Sequence, residues 1–176
     1  MKVSPDIGAD APAASSEPRD GFGRHPRLPP GGWEVPLTGI DHIGIVVEDL
    51  EAAMSFLGET LGLDLRTVVE LPELGMTNAF FRCGEADIEL IGVTDPEVRR
   101  QRLGDGRARI EHIGIRVDDL EATSSALEDK GVRLTGIPNV DAAHPVPFRV
   151  GNRVNVWTDP ATTGGVVYQF IEECPE

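Results

Sequence analysis

Ile40-Asp41-His42-Ile43-Gly44-Ile45-Val46-Val47-Glu48-Asp49-Leu50-Glu51-Ala52 returns 70 residues later as Ile110-Glu111-His112-Ile113-Gly114-Ile115-Arg116-Val117-Asp118-Asp119-Leu120-Glu121-Ala122. Ten of the thirteen positions are identical. A repeat of this length marks one supersecondary unit that has been duplicated. Each copy opens on a β-branched run that suits a strand, and each such strand carries one histidine at the same place. Two units facing each other bring two imidazoles to one centre, so the repeat bears on chemistry as well as on fold.

Working outward from the first copy, the strand Ile40 to Val47 is followed by a helix. Asp49 or Glu48 can cap it, and Leu50, Met54, Leu57 and Leu61 recur at helical spacing until Gly62 ends it. Further strands are expected from Leu63 to Val69, Met76 to Arg82 and Ala86 to Val93, with Gly84 at a turn. The second copy predicts a strand over Ile110 to Val117, a helix over Leu120 to Lys130, and strands at Val132 to Thr135, Asn152 to Thr158 and Val166 to Glu172. The fold class is therefore α+β, built of two βαβββ modules. Module one spans 38–95, a connector 96–109, and module two 110–173, together one domain over 37–176. The Gly136 to Gly151 loop is longer than its counterpart and reads as a lid or pocket wall.

The segment 1–36 holds seven of the fourteen prolines and almost no large apolar residue before Trp33. Such a chain buries too little surface to offset its ordering entropy, so a disordered N-terminal extension is expected, with Trp33 and Val35 docking it onto the core. It lacks the apolar stretch of a secretory signal, and no run nears the roughly 18–20 apolar residues of a membrane span; the expectation is a cytoplasmic protein. The formal net charge is −14. An acidic surface repels phosphate backbones, which argues against nucleic acid as a partner. Cys83 and Cys174 form no CxxC motif and read as reduced thiols. The connector carries Arg99, Arg100, Arg102, Arg107 and Arg109, either a solvated helix face or a dock for an anionic group such as a phosphate.

The candidate site follows from the repeat. In the fourth strands, Asp87-Ile88-Glu89-Leu90-Ile91 and Val167-Tyr168-Gln169-Phe170-Ile171, a polar residue sits within an apolar run at Glu89 and at Gln169. Alternation puts Asp87, Glu89 and Ile91 on one face and turns Tyr168 away from Gln169. A lone strand histidine is usually hydrogen-bonded to backbone, but two at equivalent positions with two equivalent polar partners are costly to bury unless something satisfies them all. A divalent cation does so. The expected ligands are His42, Glu89, His112 and Gln169, a set that suits Co²⁺, Ni²⁺, Zn²⁺, Mn²⁺ or Fe²⁺. With one anionic ligand the site stays net positive and polarises a bound carbonyl. Trp157 reads as core or pocket wall, and His25 and His144 as solvated.

At these residues the chain resembles the vicinal oxygen chelate superfamily, which includes glyoxalase I, extradiol dioxygenases and bleomycin-binding proteins. It is most similar to the methylmalonyl-CoA epimerases. The resemblance is carried by Gly39 to Ile45, by Glu70-Leu71-Pro72-Glu73-Leu74-Gly75-Met76, by Asp87 to Leu90, by Glu111 to Gly114 and by Thr163-Gly164-Gly165-Val166-Val167. It implies paired modules forming a cupped mixed sheet around a metal, the same four ligands, a carbonyl substrate such as an acyl-CoA, and a homodimer. It also implies that Glu73 is one of two acid/base groups. The epimerases carry a second such group, a glutamate, where this chain has Gln169, and an amide cannot exchange a proton. Glu172 and Glu173 follow, Glu172 on the opposite face by alternation. The function implied is a metal-dependent epimerase or isomerase. A glyoxalase-type lyase, an epimerase of sugar-like ketones, an Fe²⁺ dioxygenase and a non-catalytic binding protein are the alternatives.

Overall fold

A computed structural model describes Val35, residues 37–138 and residues 146–175. The expected disordered extension, with His25, and the part of the long loop holding His144 lie outside the described residues.

Strands and helices follow the repeat. Module one runs β1 (Leu37–Val47), α1 (Leu50–Ser55), β2 (Asp64–Leu71), β3 (Met76–Cys83) and β4 (Ala86–Val93). A connecting helix α2 (Pro96–Leu103) leads to β5 (Ala108–Val117), α3 (Leu120–Glu128), β6 (Leu134–Thr135), β7 (Phe148–Val150), β8 (Arg153–Thr158) and β9 (Val167–Glu173). The helix starts are set by equivalent caps: Asp49 and Asp119 accept from the amides of Ala52 and Ala122 at 2.9 and 2.8 Å. A side-chain oxygen there satisfies an N–H that the first turn leaves without a partner. After Ser55 the first helix widens into a π-helical turn, Phe56–Thr60.

The strands form one sheet in the order β2-β3-β4-β1-β5-β9-β8-β6, with β7 also paired to β8. Within each module the first and last strands run parallel, β1 beside β4 and β5 beside β9. The modules join where β1 and β5 pair antiparallel. An antiparallel junction between equivalent strands is a local two-fold axis, so equivalent residues meet across it.

One difference from the sequence expectation concerns the second module. The single strand β2 of module one is answered by two short pieces, β6 and β7, on either side of a segment rich in proline. Proline lacks the amide that a ladder needs, and this divides the strand. The connector opens with the capped helix α2: Asp95 accepts from the amides of Glu97 and Val98, and Pro96 occupies the first turn. Of its arginines, Arg100, Arg102 and Arg107 pair with Glu97, Glu111 and Glu48, and Arg99 donates to the Val93 carbonyl.

One face of the sheet is apolar core. Leu57 of module one packs with Val47, Ala79, Phe81 and Leu90, and Leu120 of α3 packs with Val117, Val156 and Phe170. The other face carries the polar residues of the repeat. Among the described residues no helix is long and apolar enough to cross a membrane.

The junction has little tolerance. His42 pairs with Gly114 and His112 with Gly44. A Cβ on Gly44 would stand 2.2 Å from Cε1 of His112, and one on Gly114 would stand 2.6 Å from Cε1 of His42. Each imidazole lies over the other module's glycine because only a glycine leaves room for it. Gly44→Ala and Gly114→Ala are therefore expected to displace the opposite imidazole, weakening divalent-ion binding at least about tenfold while the far-ultraviolet dichroism stays native. Wild-type affinity in both variants, measured by calorimetric titration, would contradict this reading.

Candidate metal centre

The four residues singled out by the repeat meet at one point. Nε2 of His42 lies 2.9 Å from Nε2 of His112 and 3.1 Å from Oε1 of Gln169. Oε2 of Glu89 stands 3.2 Å from both imidazole Nε2 atoms. All four side chains are buried. β1 and β5 supply the histidines, and the parallel neighbours β4 and β9 supply Glu89 and Gln169 at equivalent registers, opposite Gly44 and Gly114.

These distances carry chemical information. Bonds of about 2.1 Å at right angles separate neighbouring ligand atoms by about 3.0 Å. Glu89 Oε2 has no hydrogen-bond partner, although two nitrogens are near. A buried carboxylate oxygen without a donor is expensive. Four donor atoms spaced as neighbours in one shell, one of them orphaned, fit a divalent cation; the His42, Glu89 and His112 group alone could hold one.

A surrounding layer orients the ligands. Asp41 accepts from Nδ1 of His42 at 2.8 Å, and Glu111 lies 3.6 Å from Nδ1 of His112. Alternation should turn each of these acids away from its neighbouring histidine. It does not, because the β1–β5 pairing slips by one residue at Asp41 and again at Glu111. These two equivalent bulges put consecutive acid and histidine side chains on one side of the strand, a use of bulges common beside functional sites. The acid on Nδ1 of His42 holds the proton there and leaves the Nε2 lone pair for an ion, whereas Nδ1 of His112 has no hydrogen-bond partner among the described residues, Glu111 standing just beyond bonding distance. Arginines in turn hold the acids. Arg153 and Arg116 reach Asp41 at 3.1 and 3.5 Å. Arg102 grips Glu111 through two bonds of 2.8 and 2.6 Å. On the next strands, Asn78 donates to Oε1 of Glu89 at 2.7 Å, and Asn155 accepts from Nε2 of Gln169 at 2.9 Å.

The centre opens into a cavity of about 370 Å³. Its walls include Leu71, Met76, Phe80, Ile91 and Trp157, and Ile137 and Phe148 from either end of the long loop. The described ends of the loop thus form part of the pocket wall, and Trp157 lines it. Tyr168 turns toward the apolar core of module two, as alternation requires. Glu172 also faces away from the centre, and caps α3 by accepting from the Leu120 amide at 2.7 Å.

Glu73 is not among these residues. It is exposed on a short 3-10 turn, Pro72–Leu74, and does not line the cavity, although Leu71 and Met76 on either side do. It makes no hydrogen bond or ion pair among the described residues. The carboxylates that line the cavity are all engaged: Asp87 by Arg66 and Arg82, Glu111 by Arg102, and Glu89 within the centre.

Sequence reasoning missed Asp41, Glu111, Asn78 and Asn155. The first two were visible as an acid preceding histidine in both copies. The asparagines could be found only as polar residues at equivalent places on the third strands of the two modules.

The sequence signature of the glyoxalase/bleomycin resistance protein/dioxygenase superfamily matches residues 41–148, and the chain belongs to that superfamily. The mitochondrial methylmalonyl-CoA epimerase of Mus musculus is 27% identical over 136 residues, covering 76% of this chain and 72% of the epimerase. The ethylmalonyl-CoA/methylmalonyl-CoA epimerase of Cereibacter sphaeroides is 29% identical over 123 residues, 62% of this chain and 85% of that protein. Among solved structures, the methylmalonyl-CoA epimerase of Mycobacterium tuberculosis superposes with a TM-score of 0.67 at 28% identity, covering 81% of this chain and 92% of that one.

The charges of the centre are coupled. Burial alone would push the His42 imidazole down, but the carboxylates of Glu89 and Asp41 outweigh it and raise it to about 9. His112 is raised as well, burial being outweighed by Glu111 and Glu89. Burial pushes Glu89 up, yet the two imidazoles pull it well below the usual carboxylate range. In the metal-free protein the raised His42 stabilises the fold fully below its unfolded value of 6.5, and this is lost as pH rises through about 9. The lowered Glu89 stabilises it above 4.5 and loses that effect in acid. The melting temperature of chelator-treated protein is accordingly expected to fall between pH 6.5 and 9. A flat or rising profile over that interval in a thermal-melt series would contradict the assignment.

Proposed function

We propose that this chain is a divalent-metal-dependent epimerase that removes the proton next to the thioester carbonyl of an acyl-CoA, with methylmalonyl-CoA as substrate. One observation carries the proposal: four donor atoms of His42, Glu89, His112 and Gln169 converge at 2.9–3.2 Å beside a largely apolar cavity. The similarity to methylmalonyl-CoA epimerases over most of the chain supports the choice of substrate.

His42, Glu89, His112 and Gln169 would hold the ion, the carboxylate being the single anionic ligand. The bound ion supplies positive charge opposite the oxygen on which negative charge develops as the proton leaves. Asp41, fixed by Arg153 and Arg116, keeps the His42 imidazole turned with Nε2 inward, and Glu111, fixed by Arg102, places its negative charge beside His112. Leu71, Met76, Phe80, Ile91 and Trp157 exclude water, which strengthens every electrostatic contact inside. Glu73 is the proton acceptor in this reading, because it is the unengaged carboxylate between two residues that line the cavity. Gln169 cannot serve as the second acid/base group, so the return of the proton to the other face falls to another donor, such as a water.

A second cavity of about 750 Å³ shares Arg102, Glu111, His112 and Pro138 with the first. Arg109 lines it and meets no carboxylate at ion-pair distance among the described residues. In this reading Arg109, which donates to the Arg102 carbonyl at 3.5 Å, receives the anionic arm of an acyl-CoA.

Two measurements test the proposal. In D₂O, protein reconstituted with Co²⁺ is expected to incorporate deuterium at the α-carbon of methylmalonyl-CoA, followed by proton NMR. Chelator should abolish this, and Glu73→Gln should slow it by about 10²-fold or more with ion affinity unchanged. Full exchange in Glu73→Gln would remove Glu73 from the mechanism, and no exchange by ion-loaded wild type would remove this substrate. In steady-state kinetics, Arg109→Glu is expected to raise KM several-fold, on the order of one phosphate contact, at unchanged kcat. An unchanged KM would discard the second cavity as the site of the acyl-CoA arm.

A further inference from the structure

Gln169 is an amide among the donor atoms, and an amide has only one end that can face a cation. Turned the other way, it presents an NH₂ group and repels the ion. A carboxylate has no such problem, since both its oxygens are acceptors. Something must therefore decide which end of Gln169 points inward.

The deciding contacts run outward along β8. Nδ2 of Asn155 donates to the backbone carbonyls of Phe148 and Arg153, at 3.2 and 3.4 Å. A carbonyl can only accept, so the NH₂ of Asn155 must point to them and its oxygen must point to Gln169. That oxygen can only accept, so Gln169 must direct its NH₂ to it, at 2.9 Å. The oxygen of Gln169 is then left facing Nε2 of His42 at 3.1 Å. The orientation is inherited from two backbone carbonyls, which cannot flip. Asn155 and Gln169 are both buried, so water does not compete for these bonds.

We infer that Asn155 is a positioning residue that makes Gln169 an oxygen ligand, and that this chain requires it because it carries an amide at that position. The inference rests on the metal reading above. The equivalent residue of module one supplies a contrast. Asn78 pairs with Ile91 as Asn155 pairs with Ile171, so the two asparagines are related by the junction axis. Asn78 bonds to Oε1 of Glu89 at 2.7 Å and leaves Oε2 inward. Glu89 presents an oxygen inward whichever way it turns. Asn78 steadies its ligand, whereas Asn155 selects the chemistry of its own.

The test is a double-mutant cycle read by ion affinity rather than turnover. Co²⁺ dissociation constants come from competition with a chromogenic chelator, the visible Co²⁺ spectrum reports the ligand set, and circular dichroism reports folding. Asn155→Leu is expected to weaken Co²⁺ binding at least about tenfold and to change the spectrum. Asn155→Ala carries the same expectation should leucine not fit. In a Gln169→Glu background the same Asn155 substitution is expected to change affinity by less than about threefold, because a carboxylate needs no orienting partner. Asn78→Leu in the otherwise wild-type chain is likewise expected to cost less than about threefold. A packing role for Asn155 would give the same loss in both backgrounds, and that result overturns the inference while leaving the metal centre intact. Wild-type protein that binds no Co²⁺ overturns the metal reading, and this inference with it.

Discussion

The packing of each imidazole over a glycine of the opposite module is the contact on which the rest of the structure depends. β1 and β5 pair antiparallel, so His42 crosses Gly114 and His112 crosses Gly44. With no Cβ in the way, the two rings approach until their Nε2 atoms are 2.9 Å apart. Everything nearby answers to that proximity. Two imidazoles facing each other by their lone pairs would repel, and a carboxylate buried with them needs positive charge. A proton shared among them, or a cation between them, resolves both. The duplication thus did more than double the core: it brought two copies of one histidine to a point where neither is satisfied without a third party.

Holding such a point requires support, because buried charged groups offset their desolvation cost only when their geometry is good. The support is built outward in equivalent steps on both modules. A bulge turns an acid onto each histidine, arginines neutralise the acids, and an asparagine on each third strand meets the Glu or Gln ligand. The arginines of the connector illustrate how little of a sequence cluster need be functional surface. Arg102 is buried against Glu111, while Arg100 and Arg107 are spent on exposed carboxylates.

How much of this was legible in the residues follows from which physical rule governed each. The paired modules and the four ligands rest on two strong regularities, a 70-residue repeat and strand alternation, and both hold at His42, Glu89, His112 and Gln169. Asp41 and Glu111 stood in both copies as an acid before the histidine, but alternation turns such a neighbour away; the bulges that overrule it depend on pairing across the junction. Asn78 and Asn155 are partners only through neighbouring-strand register. The division of the second module's outer strand into β6 and β7 could be suspected from prolines but not placed. Glu73 was legible only through family resemblance. The structure sets it on an exposed turn between Leu71 and Met76 of the cavity wall.

The two modules are equivalent in backbone and unequal in charge: Glu89 on one side of the axis, Gln169 on the other. With a divalent ion held here, that inequality would leave the centre net positive, suited to stabilising an enolate. The most direct test is a structure of Co²⁺-soaked crystals, with the ion located from its anomalous scattering. The account predicts one ion bound by Nε2 of His42, Nε2 of His112, Oε2 of Glu89 and Oε1 of Gln169, at about 2.1 Å. An ion bound elsewhere on the chain, with these four side chains still packed against one another, would contradict it.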